Sequence, residues 1–353
     1  MRRFLSPWRA AATIVFLAVV VGLVLYTVPS GTFPHQLVGR KAASNQYILL
    51  PDVAHPVSPL VRVQGAHPVK PGTLYFVDVI ERRASTLEVL FPSLHPHGTL
   101  LPAGEIVPPC STTTQAEEAQ LQAMAFSQRV AAAVALRQLG YHVVVQPTGV
   151  VVSQLIGGTN APCNLQPMDV IVAVDGTPTP TVAALRRALA PVKPGKVVVL
   201  RVRRGGHMLS QRIRTVGIPQ EPGQALVGFA PDQAATIKLP VRVSIDASGI
   251  GGPSAGLAFA LEVMQKLGRN VLRGHRVAAT GEMELNGSVG PIGGVKQKTY
   301  GVRQAGADVF LVPAGDNARV ARRYAGPLRI IPVHTFKQAL RALATLPRAH
   351  KKA

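Results

Sequence analysis

The alternation of apolar and polar positions divides the chain into stretches of different character. Residues 10–28 are almost continuously apolar, and short strand-like runs broken by proline and glycine follow them. An alanine-rich helical pattern runs from Thr114 to Leu139 and ends at Gly140. After it, short strands and helices alternate. The pattern therefore predicts an α+β multidomain protein.

The apolar run at residues 10–28 is long enough to cross a bilayer as a helix, at ~1.5 Å per residue. Arg2, Arg3 and Arg9 precede it, so the positive-inside rule keeps residues 1–9 in the cytosol and exports the rest. A cleaved signal peptide is the alternative, but residues 26–30 lack a small-x-small cleavage site. We expect a single-pass anchor in the cell membrane, with the later domains outside the cytosol.

Between the anchor and the helix, the pattern predicts a β-rich exported segment. Its first part, residues 30–45, is interpreted as a linker because prolines and glycines interrupt it. Four predicted strands follow, at residues 47–50, 61–63, 74–80 and 87–91.

The amino-acid composition of the chain limits the kinds of ligand and partner that it is expected to bind. The chain has 353 residues, of which 47% are hydrophobic and 16% charged, and its formal net charge of +21 will attract polyanions. Nucleic acid is not expected, because aromatic residues make up only 5% and no nucleic-acid-binding motif is present. Cys110 and Cys163 exclude a disulfide-rich scaffold, while one disulfide and two free thiols both stay open. His95 and His97 are interpreted as solvated loop histidines, so no metal is expected.

Residues 141–217 form a unit of their own. Strands are predicted at 141–145, 149–155 and 169–174, the last ending in an Asp175-Gly176 turn, before a helix at Thr181–Leu189 and a closing strand at 197–202. This order resembles a PDZ domain of the kind found in bacterial proteases, although Met168 stands where that family has a glycine. The resemblance implies that an extended peptide adds as a strand against the helix, beside Gly149, Val150, Val151 and Val152. A small barrel that only packs against its neighbours is the alternative.

The C-terminal third carries the candidate chemistry. Ser254 lies in Gly251-Gly252-Pro253-Ser254-Ala255-Gly256, between a strand at 241–246 and an apolar helix at 255–267. Pro253 is a favourable first helical residue, so Ser254 is expected at a helix N-terminus, where free N–H groups gather. The main-chain amides of Gly251 and Gly252 are candidate donors to an oxyanion formed beside Ser254.

A serine nucleophile needs a base, and Lys298 is the candidate. It follows the apolar run Pro291-Ile292-Gly293-Gly294-Val295, and burial there would lower its pKa towards neutrality. Thr280, at the end of a strand at 277–282, is expected to hold the lysine amine by a hydrogen bond. Lys296 is a rival base. The separation of two residues points the two lysines to different sides of the helix, and the spacing by itself does not choose between them.

These three motifs together resemble the proteolytic domain of the Lon proteases. With the apolar N-terminus and the PDZ-like unit, the whole chain resembles the membrane-anchored PDZ-Lon proteins of bacteria. The resemblance implies a serine-lysine dyad of Ser254 and Lys298, supported by Thr280. It also places Gly251 where many Lon enzymes have an acidic residue. Protein or peptide substrates are implied, and a homo-oligomer is one expectation, since Lon-type domains commonly assemble into rings.

No Gly-x-x-x-x-Gly-Lys-Ser/Thr sequence is present, so we expect hydrolysis without ATP or any other cofactor. Two rival functions remain. An α/β-hydrolase-type esterase would use the Gly-x-Ser-x-Gly pattern with Asp308 and His334, but it leaves the lysine motif unexplained. A non-catalytic membrane scaffold would only bind peptides through the PDZ domain. The predicted segments are 1–9, 10–28 (transmembrane), 29–140 (exported), 141–217 (PDZ), 220–345 (Lon) and 346–353 (basic tail).

Overall fold

The computed structural model of the protein describes residues 7–68, 71–218, 221–247 and 249–347. Within them the chain forms two compact units. The first comprises the described residues of Met1–Asp52 and Val79–Ile106, and the second those of Val53–Asp78 and Val107–Ala353.

The helices, in chain order, are α1 Pro7–Thr27, α2 His35–Ala42, α3 Thr86–Leu90, α4 Ala103–Ile106, α5 Thr113–Gln138, α6 Val182–Leu189, α7 Gly256–Lys266, α8 Val295–Gln304, α9 Asp316–Tyr324 and α10 Phe336–Ala344. The strands are β1 Gln46–Pro51, β2 His55–Pro56, β3 Val61–Val63, β4 Thr73–Phe76, β5 Val79–Arg83, β6 Thr99–Pro102, β7 Val144–Leu155, β8 Val170–Val174, β9 Thr177–Pro178, β10 Val197–Arg204, β11 His207–Arg214, β12 Val216–Ile218, β13 Glu221–Leu226, β14 Phe229–Lys238, β15 Val243–Ile245, β16 Arg276–Ala279, β17 Glu282–Met283, β18 Val289–Gly290, β19 Val309–Pro313 and β20 Arg329–Val333.

The first unit holds an antiparallel sheet of order β5-β1-β6 and helices α1 to α4. Two predictions in this unit are wrong. The expected linker contains α2, and the expected strand at 87–91 is helix α3. The helix forms because Ser85 and Glu88 make a capping box, in which each side chain bonds the other's main-chain N–H at 3.2 and 2.8 Å. His95 is not merely solvated, since its Nε2 lies 2.8 Å from Glu88 Oε1.

Helix α1 covers most of the stretch predicted to be a transmembrane helix. Its large apolar side chains, such as Ile14, Phe16 and Leu23, are well over half exposed. Among the residues that the structure describes, no helix meets the combined length and hydropathy of a membrane span. The predicted transmembrane helix is therefore not confirmed.

The second unit is built on a five-stranded sheet of order β2-β4-β16-β19-β20, in which the last four strands run parallel. Helix α7 lies in the main core beside this sheet, with buried side chains along its whole length. Strand β4 and helix α5 come from the segment that the sequence analysis assigned to a separate exported region. They belong to this unit because their apolar side chains, including Phe76 and Val130, complete the same core.

The PDZ-like part lies between α5 and β15 in the chain and forms a sheet of order β11-β10-β8-β7-β14. The predicted turn at Asp175 and Gly176 is confirmed as a two-residue hairpin between β8 and β9, with φ of 45° and 80°. Met168, which replaces a glycine of the family pattern, keeps a glycine-like φ of 70°. Cys110 and Cys163 form a disulfide, which closes the question that the sequence left open.

Candidate active site

Ser254 occupies the turn that leads from β15 into α7. The helix begins at Gly256, three residues after the expected start at Pro253, so Ser254 lies two residues before the first helical residue. The turn brings the side chain of Ser254 to a partly exposed position while the helix behind it is buried. A nucleophile on such a turn is held by a rigid element and remains accessible to a substrate.

Helix α5 supports this turn from the other side, a role that the sequence analysis missed. The Ser127 hydroxyl donates to the Pro253 carbonyl at 2.9 Å, and the Gly252 N–H donates to the Gln120 carbonyl at 2.9 Å. Ser127 is only 1% exposed. A serine on an alanine-rich helix gives no local signal of this role, because its partner lies 126 residues away in the sequence.

The close approach of α5 explains both glycines of the turn. A Cβ on Gly251 would lie 2.9 Å from Gln120 Cβ, so an acidic side chain at this position would have to displace the helix. Gly252 has a φ of +81°, a left-handed conformation that favours glycine. The departure from the family pattern at Gly251 is therefore accommodated by the packing of α5.

Lys298 approaches Ser254 from α8. Its Nζ lies 2.6 Å from Ser254 Oγ, which is the hydrogen-bond distance that proton transfer requires. The side chain is only 3% exposed. Burial lowers the pKa of Lys298 from 10.5 to about 8, although the negative charge of Asp78 acts in the opposite direction. A lysine with this pKa is neutral in a useful fraction of molecules near neutral pH.

Thr280 also reaches the site, but through a different partner than expected. Its hydroxyl donates to the main-chain carbonyl of Ser254 at 3.1 Å, and the Gly281 N–H donates to the same oxygen at 2.8 Å. The expected hydrogen bond between Thr280 and the lysine amine is not found among the described residues. Thr280 therefore fixes the backbone of Ser254 and does not hold the amine of Lys298.

The structure also changes which main-chain N–H groups are candidates to donate to an oxyanion beside Ser254. The Gly252 N–H is occupied by Gln120, and proline at 253 has no N–H to offer. The N–H groups of Gly251, Ser254 and Ala255 donate to no residue in the described part of the chain. The amides of Ser254 and Ala255, directly before α7, become the candidate donors that the sequence analysis did not name.

The rival residues lie elsewhere. Lys296 Nζ stands 5.8 Å from the centroid of the Tyr324 ring, as expected from its different side of α8. Asp308 is paired with Arg276 at 2.9 Å, and the only side chain described as hydrogen-bonded to Ser254 Oγ is Lys298. A Ser-His-Asp arrangement with His334 finds no support in this geometry.

Glu282 lies close enough to two other carboxylates, those of Asp232 and Glu284, for their charges to affect its pKa. Burial raises the pKa of Glu282 to about 7, and the negative charges of Asp232 and Glu284 raise it further. Burial also raises the pKa of Asp232 to about 6, with a smaller contribution from Glu284. Across the described ranges, no group of three or more histidine, cysteine, aspartate or glutamate side chains is placed to hold a metal ion.

The peptide site expected beside Gly149, Val150, Val151 and Val152 is not open in this structure. These residues lie in β7, which is paired with β8 on one side and with β14 on the other. Residues 231–234 of β14 lie directly opposite them. The expected position of the peptide strand is therefore taken by a strand of the chain itself.

Gln233 fastens β14 in this position. Its Nε2 donates to the carbonyls of Gly149 and Pro180 at 2.9 and 3.0 Å, and its Oε1 accepts from the Val182 N–H at 3.3 Å. Val182 is the first residue of α6, the helix against which a peptide was expected to lie. The side chain of Gln233 thus connects β14 to β7 and to the start of α6, the two elements that were expected to form the peptide groove.

Comparison with known families agrees with these two substructures. A family model described as the Lon protease (S16) C-terminal proteolytic domain matches residues 225–345, and a PDZ domain model matches residues 137–215. The chain contains a Lon-type proteolytic domain and a PDZ domain. Strand β14 falls inside the Lon match, although it pairs with the PDZ strand β7.

Curated relatives of this chain include Lon proteases. Lon protease 1 of Sorangium cellulosum (strain So ce56) is 32% identical over 139 residues, which cover 36% of this chain and 16% of the relative. Lon protease 2 of Bacillus subtilis (strain 168) is 33% identical over 127 residues, covering 36% of this chain and 22% of the relative. The chain thus matches less than a quarter of the length of either relative.

Among solved structures, the PDZ domain of the SdrC-like protein from Listeria monocytogenes is similar at 20% identity. The match covers 24% of this chain and 87% of that one, with a TM-score of 0.23.

Proposed function

We propose that this chain is a serine endopeptidase in which Ser254 is the nucleophile and Lys298 the general base. The observation that carries the proposal is the distance of 2.6 Å between Lys298 Nζ and Ser254 Oγ, with the lysine buried and its pKa lowered to about 8. The Lon-type domain around the pair supports the assignment to a serine protease.

In the proposed reaction, neutral Lys298 takes the proton from Ser254 Oγ as that oxygen attacks the carbonyl carbon of a peptide bond. The negative charge that develops on the carbonyl oxygen is met by the N–H groups of Ser254 and Ala255. The lysine ammonium then gives its proton to the leaving amine, and an acyl-enzyme remains. Water, deprotonated by the same lysine, attacks the ester and frees Ser254.

The proposed activity needs no ATP. The support for this part of the proposal is that the sequence has no Gly-x-x-x-x-Gly-Lys-Ser/Thr motif, the usual phosphate-binding loop for a nucleoside triphosphate. In this proposal, substrates are proteins or peptides that reach Ser254 without ATP-driven unfolding by this chain. The PDZ domain recruits or gates them, and assembly into a homo-oligomer, which analytical ultracentrifugation would test, remains a prediction.

A membrane location with the PDZ and protease domains outside the cytosol is also part of the proposal. Its support is the apolar run at residues 10–28 behind three arginines, together with the exposed apolar side chains of α1. Fractionation of cells with alkaline extraction, followed by external protease treatment of spheroplasts, tests it. Release of the full-length chain into the soluble fraction would contradict the anchor.

The decisive experiment measures cleavage of an unfolded protein or a quenched peptide by the purified chain without ATP. We expect Ser254→Ala and Lys298→Ala each to lower kcat/KM by roughly 10⁴-fold or more, because each removes half of the dyad. Lys296→Ala is the matched control and should retain activity, since Lys296 Nζ lies near the Tyr324 ring.

Cleavage that survives both dyad substitutions would end the proposal. Peptide binding without cleavage by the unaltered chain would instead favour the non-catalytic scaffold. A strict requirement for added ATP would contradict the ATP-independent part alone.

A further inference from the structure

The PDZ sheet has an edge strand, β11, that is paired only with β10 among the described strands. The N–H of the next residue, Thr215, donates back to Lys196 at 2.8 Å, on the side of β10. Alternation along the strand therefore turns the main-chain groups of Ser210 and Arg212 to the outer edge. At Arg214 the outward N–H already donates to Asn160 Oδ1 at 3.2 Å.

The edge thus offers main-chain donors and acceptors from Met208 to Arg212, with which no described residue is hydrogen-bonded. An extended polypeptide could add there as a further strand. The opposite side of the sheet is not equivalent, because β14 already covers β7.

Arginines surround this edge on one face of the sheet. Val198, Leu200 and Val202 of β10 are buried, so the residues between them point away from the core. The register of β10 and β11 places Arg201 opposite Ser210 and Val199 opposite Arg212. The arginines on this outer face are Arg201, Arg203, Arg212 and Arg214.

The charge of this face is not neutralised locally. Residues 193–214 contain seven lysines and arginines and no aspartate or glutamate. Asp169 pairs with Arg204 at 2.6 Å, and the Asp175 carboxylate accepts from the Val199 N–H at 2.7 Å. Within the described residues, neither Arg201 nor Arg212 forms an ion pair. A concentrated positive field of this kind attracts a negatively charged partner.

We propose that the β11 edge and its arginines bind an acidic peptide segment in extended conformation. An extended peptide can satisfy the open main-chain edge, whereas a lipid headgroup can use only the charges. Nucleic acid is disfavoured because β10 and β11 contain no phenylalanine, tyrosine or tryptophan on which bases could stack. Acidic side chains at alternate positions of the peptide would face Arg201 and Arg212, next to the exposed Val199.

This surface, which we name the β11 docking edge (Met208–Arg212 with Arg201), deepens the proposed function. This surface would recruit acidic substrates to a protease in which β14 already occupies the position expected for a peptide strand beside β7. Binding is tested separately from cleavage by using the full chain with Ser254→Ala. A fluorescent peptide in which glutamate and valine alternate should bind, as measured by anisotropy, while the lysine-valine counterpart should not.

Combining Arg201→Glu with Arg212→Glu should weaken this binding by about tenfold or more, because two favourable charge contacts become repulsive. Reversing the same number of charges at Arg186 and Arg187, exposed on α6, is the control and should change binding by less than about threefold. Ser210→Pro removes an outward N–H of the edge and should also weaken binding. Circular dichroism checks that each variant is folded.

The proposal would be overturned if the α6 control weakened binding as much as the Arg201 and Arg212 variant does. It would also be overturned if a peptide of the same composition, with its charges in one block, bound equally well. Tighter binding of phosphatidylserine vesicles or single-stranded DNA through the same arginines would replace the peptide by a membrane or nucleic acid. Because Ser254→Ala removes cleavage from the assay, failure here leaves the protease proposal intact. Loss of the protease proposal would likewise leave a positive binding result standing.

Discussion

Replacing Lys298 by methionine keeps most of the buried volume of the side chain and removes its amine. The pKa of Lys298 is about 8 in the folded protein and 10.5 for an ordinary lysine. Each pH unit of this difference corresponds to about 1.4 kcal/mol, so holding the ammonium in the core costs the fold about 3 kcal/mol. Lys298→Met should therefore abolish cleavage and raise the free energy of unfolding by about that amount at pH 7.

The stability gained by Lys298→Met must depend on pH in one direction only. Below pH 8 the amine is protonated in both the folded and the unfolded chain, and the full cost is present. Between pH 8 and 10.5 only the unfolded chain keeps the proton, so the cost falls as pH rises and is gone above 10.5. The stabilisation of Lys298→Met should thus shrink steadily over this window.

Urea unfolding followed by circular dichroism at several pH values between 6.5 and 10.5 measures this gain. Lys296→Met is the matched control, since Lys296 is only partly buried and should give little change at any pH. An unchanged or lowered stability of Lys298→Met at pH 7 would refute the reasoning. So would a stabilisation that grows as pH rises, since a desolvated ammonium cannot produce it.

Three further predictions concern the supports of the site. Thr280→Val removes one of two hydrogen bonds to the Ser254 carbonyl and should lower kcat by about tenfold, with KM nearly unchanged in steady-state assays. Replacing both Cys110 and Cys163 by serine removes a disulfide that joins residues 53 positions apart, and it should lower the free energy of unfolding by about 4 kcal/mol in urea titrations. Added reductant should have no further effect on this variant. Gln233→Ala should speed the exchange of main-chain amide hydrogens in β14 and at the start of α6, because it removes the hydrogen bonds that hold these segments together. Unchanged exchange there would contradict this role of Gln233.

The residues of the candidate dyad could be found from the sequence because their signals are local. A glycine-rich turn before an apolar helix sets the backbone of Ser254, and an apolar run ahead of a helix indicates a buried Lys298. The spacing of two residues predicted that Lys298 and Lys296 lie on different sides of the helix, and the resemblance to the Lon proteases selected Lys298. The Asp175-Gly176 hairpin was predictable for the same reason, since its conformation depends on two adjacent residues.

Local reasoning failed where a short polar contact or a distant partner decided the outcome. The capping box of Ser85 and Glu88 converted an apolar run that had been predicted as a strand into helix α3. Thr280 was expected to bond the amine of Lys298, but its hydroxyl donates to the main-chain carbonyl of Ser254.

The sequence by itself determined the candidate chemistry: a serine, a lysine and a threonine next to glycine-rich turns and apolar neighbours. Tertiary structure alone decided what surrounds them. Helix α5 holds the turn of Ser254 through Ser127, and β14 fills the PDZ edge that a peptide was expected to use. Hydrophobic periodicity tells which face of an element is buried but carries no information about which other element covers it. Contacts between residues more than a hundred positions apart therefore become visible only when the chain is folded.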